Sequence, residues 1–184
     1  MRLFSTLALA LAIPCSAHDA AAQSVPLIAV DAEAGSGPST AIAGETWYLK
    51  NRAGQTRIAL ALRLGSAGRV RPVLIVERSF DFATGDKVSI CVPAPDGSCL
   101  AWFPGVSGPA AALGVRAALS PAFLAGLSVG VGKYSSTVRF VGVDLSARVI
   151  PHLSIVAELR HVIWRDAAGH PLWMRPVTLG LRVS

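Results

Sequence analysis

Charge is what this chain has least of. Asp, Glu, Lys and Arg together make up 15% of its 184 residues, against roughly 25% in ordinary soluble domains. Lysine is scarcer still, with Lys50, Lys87 and Lys133 the whole complement. A water-facing exterior draws freely on Lys and Glu, so this shortage argues against one. Yet the mean hydropathy of +0.52 is not gathered into long runs. Past the N-terminus no stretch of about 18 apolar residues occurs, which argues against transmembrane helices. Cysteine is confined to Cys15, Cys91 and Cys99. Neither a histidine nor a second cysteine pair stands near Cys91 and Cys99 at ligand spacing, so no metal site is expected there. No cofactor is expected either, since the glycines Gly126, Gly130 and Gly132 precede no helix and do not read as a phosphate loop. The net charge of +6 and pI near 9.9 would suit a nucleic-acid binder. The arginines, however, are spaced singly with no basic run, so nucleic acid is not an expected partner.

What is present begins with a secretory signal. Arg2 supplies a short basic segment and Leu3 to Ile13 an apolar one. Ala20-Ala21-Ala22 fits the small-residue rule for cleavage. Residues 1–22 are therefore expected to be a cleaved signal peptide and 23–184 the mature domain, with cleavage after Ala17 as the other option. In the exported chain Cys91 and Cys99 form an even pair, which favours a disulfide closing a short loop.

From Val25 onward the pattern is alternation. Val141, Val143, Leu145, Ala147 and Val149 interleave with Gly142, Asp144, Ser146 and Arg148. Such a period of two puts one set on each face of a sheet. Eight segments carry it: Val25 to Ala34, Thr56 to Gly65, Val70 to Phe80, Ala110 to Leu119, Phe123 to Tyr134, Val138 to Ile150, Leu153 to Ile163 and Leu172 to Val183. The connections between them alternate long and short, with Gly35 to Gln55 and Asp81 to Ser107 as the long loops, the alternative for the first being that part of it extends a strand. The expected fold is all-β, an eight-stranded antiparallel up-and-down transmembrane β-barrel, whose long loops gather at one rim and tight turns at the other.

Parity alone does not say which face is inside. The polar class holds Asp31, Glu33, Arg57, Arg63, Arg71, Glu77, Arg116, Asp144, Arg148, Glu158, Arg160 and Arg182 among small residues. Arginine forks pair bidentately with carboxylates, which suits a narrow, enclosed lumen. The aliphatic class then faces hydrocarbon. Trp47, Tyr48, Phe80, Trp102, Tyr134, Phe140, Trp164 and Trp173 fall at or next to the long-loop rim, where rings with a polar tip form an aromatic girdle at the headgroup layer.

With these strands the chain resembles the small eight-stranded bacterial outer-membrane β-barrel family over about Val25 to Ser184. Thr178-Leu179-Gly180-Leu181-Arg182-Val183 is similar to the final strand that family uses as an assembly signal, although Ser184 stands where an aromatic is expected. The resemblance implies a monomer in the cell outer membrane. Its implied partners are the outer-membrane assembly machinery and membrane lipid, including lipopolysaccharide-type headgroups. It implies no enzyme activity. The work would fall to extracellular loops in envelope integrity or surface contact, or to a small pore. Two alternatives stand beside it. His152, Ser154 and Asp166 resemble the His-x-Ser and acid arrangement of outer-membrane lipid A 3-O-deacylases, and a serine with a base and an orienting carboxylate is what acyl transfer needs. A secreted, lipocalin-like barrel would instead turn its aliphatic face inward around an apolar ligand.

Overall fold

The computed structural model describes residues 24–43, 47–82, 101–102, 107–134, 136–165 and 169–184, with side chains described for all of these except 41–43, 47–52, 81–82 and 101–102. The signal segment 1–22, Cys91, Cys99 and Asp166 lie outside the described residues, as do the side chains of Trp47, Tyr48 and Trp102.

Among the described residues every regular element is a strand. In chain order they are β1 (Ile28–Ala43), β2 (Trp47–Arg63), β3 (Val70–Phe82), β4 (Ala101–Trp102), β5 (Gly108–Ala118), β6 (Phe123–Lys133), β7 (Thr137–Ile150), β8 (Leu153–Arg165), β9 (Pro171–Met174) and β10 (Val177–Val183). Neighbours in sequence pair antiparallel around a single sheet, and β10 pairs with both β8 and β1, closing it. β9 and β10 are two halves of one barrel strand, interrupted at Arg175-Pro176, where proline offers no N–H to the ladder. The two-residue β4 pairs with the far end of β1, so the architecture is an eight-stranded antiparallel closed barrel.

The register fixes its shape. Phe140 pairs with Val162, Val162 with Met174, and Met174 with Ser39. In the other direction Phe140 pairs with Gly130, then Ala112, Ile75, Ala61 and Ala29 follow. One circuit therefore moves the ladder from Ala29 to Ser39, ten residues along β1. A stagger of that size on eight strands tilts them by roughly 40° and leaves an interior just wide enough for side chains.

The first hairpin differs from expectation. Gly35 to Gln55 is not a loop: β1 and β2 stay paired through Gly35↔Gln55 and Pro38↔Arg52 up to Ala43↔Trp47. Backbone hydrogen bonds carry that extension, while its outward positions Ser36, Pro38 and Thr40 are polar or lack aliphatic bulk, so no alternation marks it. The tight turns sit at the opposite rim. At Ser120 the hydroxyl oxygen accepts from the backbone N–H of Phe123 at 3.2 Å. At His152 the backbone takes a φ of 66°, a left-handed conformation that histidine tolerates better than most residues.

Exposure assigns the two faces. Leu113, Val143, Leu159 and Leu179 are 59%, 53%, 54% and 62% exposed on the outside. Asp31, Glu33, Glu77, Arg116, Asp144, Arg160 and Arg182 are buried within. Glycines open the space these charges occupy: a Cβ on Gly126 would run into the Asp144 carboxylate, and one on Gly142 into Glu158.

Candidate functional site: a charged interior and a basic rim

Inside the barrel the charges form two stacked layers. Asp31 on β1 anchors the one nearer the tight turns. Arg182 on β10 grips it with both arms, Nε to Oδ1 at 2.7 Å and a terminal nitrogen to Oδ2 at 2.9 Å. The same guanidinium donates to Asp144 at 2.9 Å and to the Ser146 hydroxyl at 3.0 Å. Arg116 adds a bond to Asp31 at 2.9 Å. Two arginines thus face two aspartates.

Two residues further along β1, Glu33 belongs to the second layer. Arg57 on β2 reaches Glu33, Glu158 and, at 3.0 Å, Glu77. Arg160 on β8 binds Glu77 at 2.9 Å and Glu158 at 3.0 Å. The Thr178 hydroxyl donates to Glu33. Each carboxylate is held by at least one charge-assisted bond, the condition under which ionised groups tolerate burial. The guanidinium of Arg160 also lies 4.2 Å from the centroid of the Phe140 ring, a cation–π contact in a desolvated setting.

Above that layer the interior turns apolar. Val138, Phe140, Val162, Trp164, Leu172 and Met174 are buried together. The Tyr134 hydroxyl lies 3.2 Å from that of Ser79. Tyr134, Phe140 and Trp164 are therefore corrected from the girdle assigned to them: they point into the barrel. Phe140 and Trp164 share the parity of Asp144 and Glu158 on the same strands, and parity rather than height decides the face. Of the other girdle residues with described side chains, Phe80 is 40% exposed and Trp173 is partly exposed on the outer face.

Three arginines expected in the lumen network lie elsewhere. Arg63 donates to the backbone carbonyl of Val25 at 2.6 Å, Arg71 to that of Ala67 at 2.9 Å, and Arg148 is exposed beside the register shift between Arg148 and Ile150. All three sit at the tight-turn end, beyond the last inward carboxylate.

The hydrolase constellation is not drawn together among the described residues. Ser154 is buried at one end of β8. The His152 ring Nδ1 sits 2.6 Å from the backbone oxygen of Ser184, which occupies the nitrogen facing the chain end. Arg165, the last described residue before position 166, is at the other end of this 13-residue strand, roughly 40 Å away along it. No group of His, Cys, Asp and Glu among the described residues could hold a metal ion.

The outer face carries one sign of charge. Among residues with described side chains the carboxylates are Asp31, Glu33, Glu77, Asp144 and Glu158, and all of them are buried inside. Arg78, Lys133, Arg139, Arg165 and Arg175 are exposed on outward positions towards the long-connection rim. Arg175 is engaged there, donating to the His161 ring at 3.1 Å and lying 5.0 Å from the Trp173 centroid. These basic positions were not singled out from sequence. Register supplies the signal, because only the pairing brings residues of β3, β6 and β7 to one height.

No family model matches the chain, and no curated protein matches it. Among solved structures it is similar to Neisserial surface protein A (NspA), with a TM-score of 0.46 and 12% identity over 86% of this chain and 97% of that one. It is also similar to Ail, the attachment invasion locus protein of Yersinia pestis, with a TM-score of 0.42 and 12% identity over 84% and 97%. Ail in complex with the heparin analogue sucrose octasulfate gives 0.39 and 12% over 85% and 99%. At such identity no residue role passes from those proteins to this one.

Proposed function

We propose that the chain is an integral outer-membrane barrel without enzymatic activity, exported by residues 1–22 and inserted by the outer-membrane assembly machinery as a monomer. It works through its long-connection rim, in envelope integrity or surface contact, with the Cys91–Cys99 loop braced by a disulfide. One observation carries this reading: the aliphatic class is outside and the charged class is inside. On β6, β7 and β10 the outward positions read Leu127, Val129, Val131; Val141, Val143, Leu145; and Leu179, Leu181, Val183. About nine residues per strand, at ~3.3 Å each and tilted ~40°, make a band roughly 20–25 Å tall. That matches the ~25 Å apolar belt of outer-membrane barrels. In water such a surface would aggregate.

The same observation weighs against the lipocalin-like alternative, whose interior would have to be greasy rather than ion-paired. Against a pore stands the apolar plug of Phe140, Trp164, Leu172 and Met174. Against the lipid A hydrolase stands the separation of Ser154 from the far end of β8. Refolding into phosphatidylcholine vesicles tests the proposal. An inserted barrel resists protease across the strands and migrates differently on gels before and after boiling. A chain that stays soluble, is digested throughout and shows one mobility refutes it.

A further inference from the structure

At its tight-turn end the barrel holds more positive charge than it pairs. The layer around Asp31 sets Arg116 and Arg182 against Asp31 and Asp144. Beyond it, Arg63 on β2 and Arg71 on β3 share the parity of the buried Ala61 and Val73. No described side-chain carboxylate lies further along the wall at that end.

Register crowds these arginines. Arg71 is the direct cross-strand partner of Arg116, with Cα atoms roughly 5 Å apart. Arg63 pairs with Val73, two residues from Arg71. Like charges set opposite each other destabilise a sheet, and here the side chains diverge. Arg116 reaches into the charged layer to Asp31 at 2.9 Å. Arg71 turns back to the Ala67 carbonyl at 2.9 Å, its guanidinium filling the place that a Cβ on Gly68 would take. Arg63 comes to the same spot: its Nη1 donates to the Val25 carbonyl at 2.6 Å, and the Val25 N–H reaches the Gly68 carbonyl at 3.0 Å. Two guanidinium groups therefore flank one contact between Val25 and Gly68.

Their partners are neutral carbonyls, which satisfy single N–H groups and cancel no charge. The Nε–H groups of Arg63, Arg71 and Arg116 are buried and have no acceptor among the described residues. Buried donors are rarely left so. On Arg63 the bond through Nη1 leaves the Nε–Nη2 edge, the side of the fork that takes an oxyanion by two parallel bonds.

We infer that this mouth binds a phosphate-type oxyanion, held by Arg63 and Arg71 with the Arg116 charge behind them. A dianion matches the two arginines that lack a carboxylate. A phosphate group could arrive free in solution or on a lipid headgroup. The inward parity of both arginines favours the free ion, entering from water through the mouth. The site belongs to the closed barrel and does not depend on what surrounds the outer face.

The test is calorimetric titration of inorganic phosphate into the barrel refolded in a nonionic detergent, at ionic strength held constant with chloride. Wild type is expected to bind one phosphate per chain. R63Q/R71Q should weaken binding by on the order of 100-fold, about tenfold for each charge-assisted bond lost. Gly68→Ala, which pushes the Arg71 guanidinium aside without removing a charge, should weaken it by about tenfold on the same basis. R165Q/R175Q, at the opposite rim, should bind as wild type does. Absence of binding to wild type overturns the inference. So does wild-type affinity in a folded R63Q/R71Q, or a matching loss in R165Q/R175Q. If R63Q/R71Q does not fold, Gly68→Ala decides, and undiminished binding there overturns the site. Repeating the titration in phosphatidylcholine nanodiscs separates the two sources. Added phosphatidylglycerol should leave the phosphate affinity unchanged; a fall with its mole fraction would overturn the assignment to a free ion.

Discussion

Replacing Arg57 with Met is the sharpest perturbation of the interior. Arg57 reaches Glu33, Glu77 and Glu158 at once, and its loss leaves Glu77 and Glu158 on Arg160 and Glu33 with the Thr178 hydroxyl. At an effective dielectric constant of ~20, one contact ion pair is worth about 4 kcal/mol before desolvation. Methionine replaces the volume but none of that compensation. Breaking a buried pair from one side costs about 3–5 kcal/mol, because the partner is left charged and dry. The same reasoning predicts partial rescue. Glu33→Gln added to Arg57→Met removes one orphaned charge and keeps an acceptor for the Thr178 hydroxyl, so the double variant should be more stable than Arg57→Met by 1 kcal/mol or more. Urea unfolding of vesicle-refolded protein, followed by tryptophan fluorescence and gel mobility, measures both. An Arg57→Met variant within about 1 kcal/mol of wild type, or a double variant no better than the single, would refute the ion-pair account.

Other outcomes follow from the same geometry. Val143→Arg, at an outward position 53% exposed, should destabilise the vesicle-inserted protein by about 2–4 kcal/mol if that face meets hydrocarbon; a neutral effect would move the band elsewhere. Gly142→Val puts a side chain against Glu158 and should abolish the heat-dependent mobility shift. Ser154→Ala should leave lipid composition unchanged in thin-layer analysis of acylated lipid A incubated with either protein, since no hydrolysis is expected from wild type. In planar bilayers the wild-type barrel should show no stepwise conductance, and steady channels would contradict the apolar plug.

The alternation of β5 to β8 was plain to read because outward Leu, Val and Ile interleave with small and charged inward residues over most of each strand. Asp31, Arg57, Glu77, Arg116 and Glu158 betrayed their placement by residue type: arginines and carboxylates with so little lysine. The upper halves of β1 and β2 were not readable, since Ser36, Pro38 and Thr40 sit above the aliphatic band and nothing there demands a period of two. Tyr134, Phe140 and Trp164 were misplaced because closeness to a rim was weighed and parity was not. Arg63, Arg71 and Arg148 have the right parity, yet the carboxylates end before their height does.

Where the ring closes has a consequence for how the protein comes into being. Asp31 stands on the first strand and Arg182 on the last, 151 residues apart, and they bind each other inside the barrel, in the layer nearer the tight turns. Until the final strand exists and has arrived, Asp31 lacks its principal partner and β1 presents an open ladder to anything that can add a strand. Assembly cannot be finished piecemeal from the front. Sealing the seam is the step that makes the charges inside it safe to dehydrate.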